Sequence, residues 1–270
     1  MMKPHDRDPL SVVEQSPAAA ASHDRAGWIG LFTPHGRIED PVGTRPHVGY
    51  RQIERFYDTF IGPRDVVFHR DLDIVSGSTV IRDLDLEVSL LPSLSMTIPA
   101  VLRYDLDLTP DVPQIAALRA YWDLPAMMAQ FLRLGTAAGP AATALAYGLL
   151  RHQKISGALG FARGFRNAGR RGKTVATSFA AHLAAGRTSA ADKLLHGTIT
   201  AGDGKVMTTD ELADRLRGAI ATRVIASGHI VVVSTRSPRG RAVLFAEITR
   251  RRSAINSVNV FTAQRLVQRH

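Results

Sequence analysis

Asp40 is the side chain in this sequence best placed to take or give a proton. In a short extended segment, Ile38 and Asp40 share one face, whereas Arg37 and Glu39 share the other. Pro41 disfavours helical geometry at Asp40 and so fixes where its carboxyl points. An aspartate beside apolar walls has a raised proton affinity, which suits a general base near neutral pH. The alternative is a structural role, because Asp-Pro-x-Gly is a common turn sequence.

The residues around Asp40 form a longer motif. The string LFTPHGRIEDPVGTRPHVGYRQIERFY occupies residues 31–57. It resembles the ketosteroid isomerase branch of the nuclear-transport-factor-2-like (NTF2-like) superfamily, which also includes the SnoaL-like polyketide cyclases. Members carry Glu-Asp-Pro-Val-Gly at the end of a short strand, followed by a helix that ends in Phe-Tyr. The resemblance runs without gaps from about residue 12 to 57 and more loosely to residue 122. It implies a cone-shaped fold, with three helices packed on a curved antiparallel sheet around a deep apolar pocket.

The resemblance also implies roles for particular residues. Asp40 would be the general base, and two hydrogen-bond donors, a tyrosine of the first helix and a protonated aspartic acid, would hold the substrate oxygen. Ungapped counting places Ser16 where the family has this tyrosine, and we expect the neighbouring Pro17 to interrupt the helix. The aspartic acid falls on Asp105. Strand alternation instead turns Tyr104 inward and Asp105 outward unless a bulge intervenes, so both residues stay candidates.

The same comparison predicts a set of substrate-binding residues. In the family, the tyrosine matching Tyr57 supports the donor tyrosine through a hydrogen bond. Without that partner, Tyr57 is expected to be free to contact the ligand. The predicted substrate-binding residues are Trp28, Phe56, Tyr57, Ser16 and Trp122.

The elements that must position these residues indicate an α+β fold. Helical patterns precede residue 61, and from residue 68 onward the apolar residues recur with period two, as in antiparallel strands. The order then repeats. Ile74-Val75-Ser76-Gly77 resembles Ile225-Ala226-Ser227-Gly228, and Ala100-Val101-Leu102 resembles Ala242-Val243-Leu244. We therefore predict two tandem NTF2-like domains, residues 1–124 and 173–270, joined by an Ala/Gly-rich basic helical linker, residues 125–172.

The second domain is expected to be degenerate. The position that matches Asp40 holds Ala201, and the position that matches Tyr57 holds Leu216. The second copy therefore lacks the proposed base, and we expect a structural role or a second binding surface. The two copies could pair within one chain, or the chain could form a homodimer.

Composition narrows the function further. The chain has no cysteine, which excludes disulfides, thiolate metal sites and a cysteine nucleophile. The histidines show no paired metal-ligand spacing, so we expect no metal. We also expect no cofactor, because in the chemistry that the resemblance implies the substrate carbonyl itself holds the negative charge. Residues 1–124 carry a net charge of −6 and residues 125–270 a net charge of +16. Few aromatic residues lie among the basic ones, which argues against nucleic acid. A weak contact with an anionic membrane surface is a remaining alternative.

The chain shows no sign of a membrane-targeting segment. Neither a signal peptide nor an apolar stretch of 18 residues is evident, so we expect a soluble cytoplasmic protein.

The sequence predicts a steroid delta-isomerase-like enzyme. Asp40 would move a proton next to a ketone of a bulky apolar substrate, similar to a steroid or a polyketide. One alternative is a non-catalytic carrier that binds a hydrophobic ligand in the same cone. Another is a membrane-surface or assembly protein that acts through its basic C-terminal half.

Overall fold

The computed structural model describes residues 8–91, 94–109, 112–133, 167–249, 251 and 254–263. The chain divides into two compact units, Met1–Phe165 and Arg166–His270, and each unit contains a six-stranded sheet. Much of the expected linker, residues 134–166, lies outside the described residues. The expected boundaries at residues 124 and 172 stay predictions.

The first unit consists of short helices followed by long strands. Its helices are α1 (Pro9–Ala21), α2 (Arg25–Gly30), α3 (Tyr50–Phe56), which continues as a π-helical turn (Tyr57–Ile61), and α4 (Leu124–Arg133). Its strands are β1 (Phe32–Glu39), β2 (His47–Val48), β3 (Val66–Ser76), β4 (Thr79–Leu91), β5 (Leu94–Asp107) and β6 (Gln114–Tyr121).

Two aspartates begin the first two helices. The side chains of Asp8 and Asp24 accept hydrogen bonds from backbone N–H groups two and three residues later, as helix N-caps do. The expected interruption at Pro17 is wrong, because α1 runs through it. Proline removes one hydrogen bond from a helix. The helix persists because packing of its apolar face supplies most of the stability of a short helix. The buried residues of that face are Val12, Val13, Ser16 and Ala20.

The sheet of the first unit brings the ends of two distant strands together. The strand order is β2-β1-β6-β5-β4-β3, in which β1 and β6 pair in parallel and the other neighbours are antiparallel. Parallel strands end at the same edge of a sheet, so the residues after β1 and after β6 are neighbours. Val42 N donates to the carbonyl of Ala120 across this edge, 2.8 Å apart.

The core of the first unit lies between its helices and one face of this sheet. We call the sheet face that contacts this core the inner face. On β5 this face carries Leu102, Tyr104 and Leu106, which belong to the core together with aromatic residues of α2, β1 and α3. The intervening residues of β5, Arg103 and Asp105, lie on the other face, as period-two alternation requires.

The second unit has the same order of elements. Its helices are α5 (Gly169–Ala184), α6 (Thr188–Asp192) and α7 (Thr209–Leu216). Its strands are β7 (Leu195–Ala201), β8 (Val206–Met207), β9 (Ile220–Ser227), β10 (Ile230–Ser237), β11 (Gly240–Ile248) and β12 (Ile255–Ala263). The strand order β8-β7-β12-β11-β10-β9 corresponds strand for strand to that of the first unit, again with a parallel first-to-last pair, β7 with β12.

The short sequence repeats fall at equivalent places in the two sheets. Gly77 follows β3 and Gly228 follows β9, with φ angles of 57° and 55°, a region that glycine adopts readily. The Ala-Val-Leu repeats lie on β5 and β11. The predicted α+β fold in two tandem copies is therefore confirmed. Among the described residues, no helix is long and apolar enough to cross a membrane.

Candidate active site around Asp40

Asp40 is paired with a tryptophan that follows the neighbouring strand of the sheet. Asp40 directly follows β1, and Trp122 directly follows β6, the parallel partner of β1. The indole Nε1 of Trp122 donates a hydrogen bond to Asp40 Oδ1, with 2.5 Å between the two atoms. Both residues are partly buried. The alternation that the sequence predicted holds at Ile38, which is fully buried in the core. Trp122, which was predicted to bind substrate, thus contacts the candidate base directly.

The electrostatic environment of Asp40 suits a general base. Desolvation raises the pKa of its carboxyl to about 6, whereas the hydrogen bond from Trp122 lowers that pKa. An acid with this pKa is mostly ionised at neutral pH and yet binds a proton readily. Such a group can remove a proton from carbon and return it.

Glu39 differs from Asp40 in both direction and partners. Its side chain accepts from the backbone N–H of Gly43 at 3.1 Å and from Arg37 at 3.3 Å. Only 15% of the Glu39 side chain is exposed. Glu39, which strand alternation places on the face opposite Asp40, therefore does not extend freely into solvent, because a backbone donor and a guanidinium hold it. It nevertheless offers a neighbouring carboxylate with fixed partners, which makes it a good control for Asp40.

Tyr104 and Ser16 meet inside the first unit. Both are buried, with 1% and 2% of their surface exposed. Their side chains are hydrogen-bonded to each other. Burial raises the pKa of the Tyr104 phenol to about 12, while the charge of Arg82 and the hydrogen bond with Ser16 lower it. Tyr104 is thus a neutral hydroxyl group within the core, on the sheet face predicted from alternation.

Asp105 lies on the opposite face with cationic partners. It accepts hydrogen bonds from Thr79 at 2.9 Å, from Arg103 at 2.9 Å and from Arg119. Arg103 and Arg119 are direct cross-strand partners, so the carboxylate of Asp105 separates two like charges. The register shift between Asp105 and Leu106 does not turn the side chain of Asp105 to the inner face of the sheet. The structure therefore places Asp105 outside the candidate site, and Tyr104 inside the core, for the reason that alternation gives.

Three of the predicted substrate-binding residues form one aromatic cluster. The ring of Trp28 lies 6.2 Å from that of Phe56 and 5.5 Å from that of Tyr57, measured between centroids. All three residues are buried. Burial raises the pKa of Tyr57, and its hydroxyl has no hydrogen-bond partner in the described part of the chain.

Sequence reasoning missed a charged group on the inner face. Arg82 lies on β4 between the core residues Val80 and Leu84, and only 2% of it is exposed. Its guanidinium is paired with Asp73 on β3 and with Glu14 on α1. The signal was present, because an arginine at an inward position breaks the alternation of apolar and polar residues along β4.

Within the described ranges, no group of three or more histidine, aspartate or glutamate side chains is arranged to hold a metal ion. The end of β7, which corresponds to the position of Asp40, carries Ala201. The carboxylate, the paired hydroxyl groups and the aromatic cluster all belong to the first unit.

Comparisons with known proteins bear on the first unit. Residues 10–101 match the family model of the Nuclear transport factor 2 (NTF2) domain. Solved structures that are similar to this chain include a Delta 5-3-ketosteroid isomerase from a Mycobacterium species, with 28% identity over 44% of this chain and 96% of the other, and a TM-score of 0.40. A Mycobacterium tuberculosis protein solved with estradiol-17beta-hemisuccinate has 23% identity over 43% and 95%, also with a TM-score of 0.40. A SnoaL-like protein from Shewanella putrefaciens has 18% identity over 49% of this chain and 99% of the other, with a TM-score of 0.41. No curated protein matches the chain.

Proposed function

We propose that this chain, whose residues 10–101 form an NTF2 domain, is a cofactor-independent isomerase of the ketosteroid-isomerase type. Asp40 would remove a proton from the carbon next to a ketone in a bulky apolar substrate and return it to another carbon of the same molecule. The double bond shifts, and the substrate is neither oxidised nor reduced overall. The observation that carries this proposal is a partly buried carboxylate with a pKa near 6, held by the indole of Trp122.

The substrate oxygen needs a hydrogen-bond donor when the proton leaves. Negative charge then develops on the ketone oxygen, and a donor aimed at that oxygen stabilises the transition state. We assign this role to Tyr104, which is a neutral, buried phenol on the inner face. The proposed binding surface includes Trp28, Phe56 and Tyr57, since large aromatic rings suit a rigid apolar ligand.

Proton transfer can be measured directly with a Δ5-3-ketosteroid. Isomerisation produces a conjugated enone, whose ultraviolet absorbance reports the rate. Wild-type protein should exceed the buffer rate, Asp40→Asn should not, and Glu39→Gln should remain close to wild type. A series of steroid and polyketide ketones that gives no rate above buffer would reject the isomerase proposal.

A binding protein without catalysis is the second candidate. It is favoured by Ser16, which occupies the place where the family resemblance implies a donor tyrosine and is too short to reach the same point. Loss of one such donor typically lowers the rate by about 10²–10³-fold. Tight steroid binding without turnover, unchanged by Asp40→Asn, would favour this carrier function.

A further inference from the structure

We propose that Arg82 is a positioning residue of this ligand site, and that its guanidinium charge acts through Tyr104 on the oxygen of the ligand. The inference rests on the proposed function, in which Tyr104 donates a hydrogen bond to that oxygen. Arg82 lies on the same face of the sheet as Tyr104, and its neighbours on that face of β4, Val80 and Leu84, are apolar.

Arg82 is held in one orientation by two acids. Its Nε and one terminal nitrogen donate to the two oxygens of Asp73, at 2.8 and 2.9 Å, in a bidentate pair. The same terminal nitrogen donates to Glu14 at 2.9 Å. Arg70 also contacts Glu14 and Asp73, at 2.5 and 3.2 Å. Planar bidentate pairing of this kind fixes a guanidinium more firmly than a single contact does.

The geometry couples this cluster to the hydroxyl of Tyr104. Val80 is the direct cross-strand partner of Tyr104, and Arg82 is the next residue along β4 on the same face. Such diagonal neighbours lie about 7–8 Å apart, within reach of long side chains. On α1, Glu14 pairs with Arg82 and Ser16 pairs with Tyr104. One turn of α1 therefore provides a partner for the phenol of Tyr104 and a partner for the guanidinium of Arg82.

The signs of the charges agree with this role. Arg82 lowers the pKa of Tyr104, whereas Asp73 and Glu14 raise it. A positive charge that stabilises a tyrosinate also stabilises an anionic oxygen hydrogen-bonded to the neutral tyrosine. Holding α1 against the sheet does not require a buried guanidinium, because the exposed pair of Arg70 on β3 with Glu14 also links α1 to the sheet. Desolvating a charge is costly, so a role in the charge balance of the site accounts for the burial of Arg82.

The inference can be tested with a naphthol that binds in the site. The measured quantity is the fraction of bound naphthol that is ionised, which fluorescence reports at a fixed pH. Glu14 is 46% exposed, so Glu14→Gln removes one negative charge beside Arg82 with little structural cost. The ionised fraction of bound naphthol should rise about two- to fivefold, the range expected for a partly screened charge. Asp40 and Tyr57, the other titratable groups assigned to the site, are unchanged in both proteins. A cluster whose charges do not act on the ligand oxygen would leave the ionised fraction unchanged.

Glu87→Gln is the matched control. Glu87 lies on the same strand as Arg82, is 40% exposed and is paired with His69, so its loss should not alter the naphthol. A second arm repeats Glu14→Gln in a Tyr104→Phe background, where the effect should disappear because the phenol is missing.

Each outcome of these measurements supports or contradicts the role of Arg82. Binding to wild type with no change in Glu14→Gln, an equal change in Glu87→Gln, or a change that persists without the Tyr104 hydroxyl would overturn the inference and leave the proposed function standing. A lack of naphthol binding to the wild-type protein would overturn both.

Discussion

The indole of Trp122 donates a hydrogen bond to the carboxylate of Asp40, although the two residues are 82 positions apart in the sequence. The contact exists because β1 and β6 pair in parallel and end at the same edge of the sheet. It gives Asp40 a fixed donor in a partly buried place. The chemistry of the site thus depends on the parallel pairing of β1 with β6.

Asp40→Asn should abolish proton transfer. The amide has nearly the same shape but does not accept a proton near neutral pH, and loss of a general base typically costs about 10²–10⁴ in rate. Isomerisation rates with a steroid ketone measure the loss, and ligand affinity should stay the same or improve because a charge beside the ligand is removed. A fully active Asp40→Asn variant would remove Asp40 from the mechanism.

The pH dependence of the rate should follow the ionisation of Asp40. A base must be deprotonated to work, so the rate should rise as pH increases through about 6, the pKa that desolvation gives this carboxyl. Rates measured between pH 4 and 8 would show this rise. A rise near pH 4 instead would mean that an ordinary solvent-exposed carboxylate is the base.

Stability should change in the opposite direction over the same range. The folded-state pKa of Asp40 is raised above its usual value, so the folded protein binds the proton more tightly than the unfolded chain. The associated stability is present below about pH 4 and is lost as pH rises through about 6. The contribution is at most about 3 kcal/mol. Urea unfolding of wild type and Asp40→Asn at several pH values isolates it, because only the wild type should show this decline.

Trp122→Phe should shift the rate profile to higher pH. The hydrogen bond from the indole lowers the pKa of Asp40, and phenylalanine keeps the apolar ring without the donor. The pKa of Asp40 should therefore rise, and the rate at pH 6 should fall by about tenfold, since a hydrogen bond to a charged group is typically worth about 1.5–3 kcal/mol. Trp28→Phe is the control, because Trp28 packs in the aromatic cluster and should leave the profile in place. Identical profiles for both variants would contradict the role of the indole.

Asp105→Asn should lower stability and leave the chemistry intact. Arg103 and Arg119 face each other across β5 and β6, and the carboxylate of Asp105 accepts from both. Removing its charge leaves two like charges opposed. The free energy of unfolding should fall by about 1–2 kcal/mol, as for other partly buried pairs. Urea denaturation measures the change. A large loss of isomerase rate in a folded Asp105→Asn protein would return Asp105 to the candidate site.

The sequence alone was sufficient to predict the fold and to identify Asp40 as the leading candidate for the general base. The motif around Asp40 predicted the NTF2-like fold, and the order of short repeats predicted the second copy. Strand alternation placed Ile38 in the core. The fold followed from the resemblance of the motif to a known family, whereas the burial of Ile38 followed from period two along a strand, a local pattern of neighbouring residues.

The choice between Tyr104 and Asp105 depended on tertiary structure. A bulge in β5 before Tyr104 would have exchanged their faces, and only the pairing with β4 and β6 fixes the register at Tyr104. The buried pair of Arg82 with Asp73 and the contact of Trp122 with Asp40 likewise join residues from different strands. Neither contact follows from spacing in the chain, because hydrogen bonds and desolvation act between groups that only the folded sheet and its helices bring within a few ångströms.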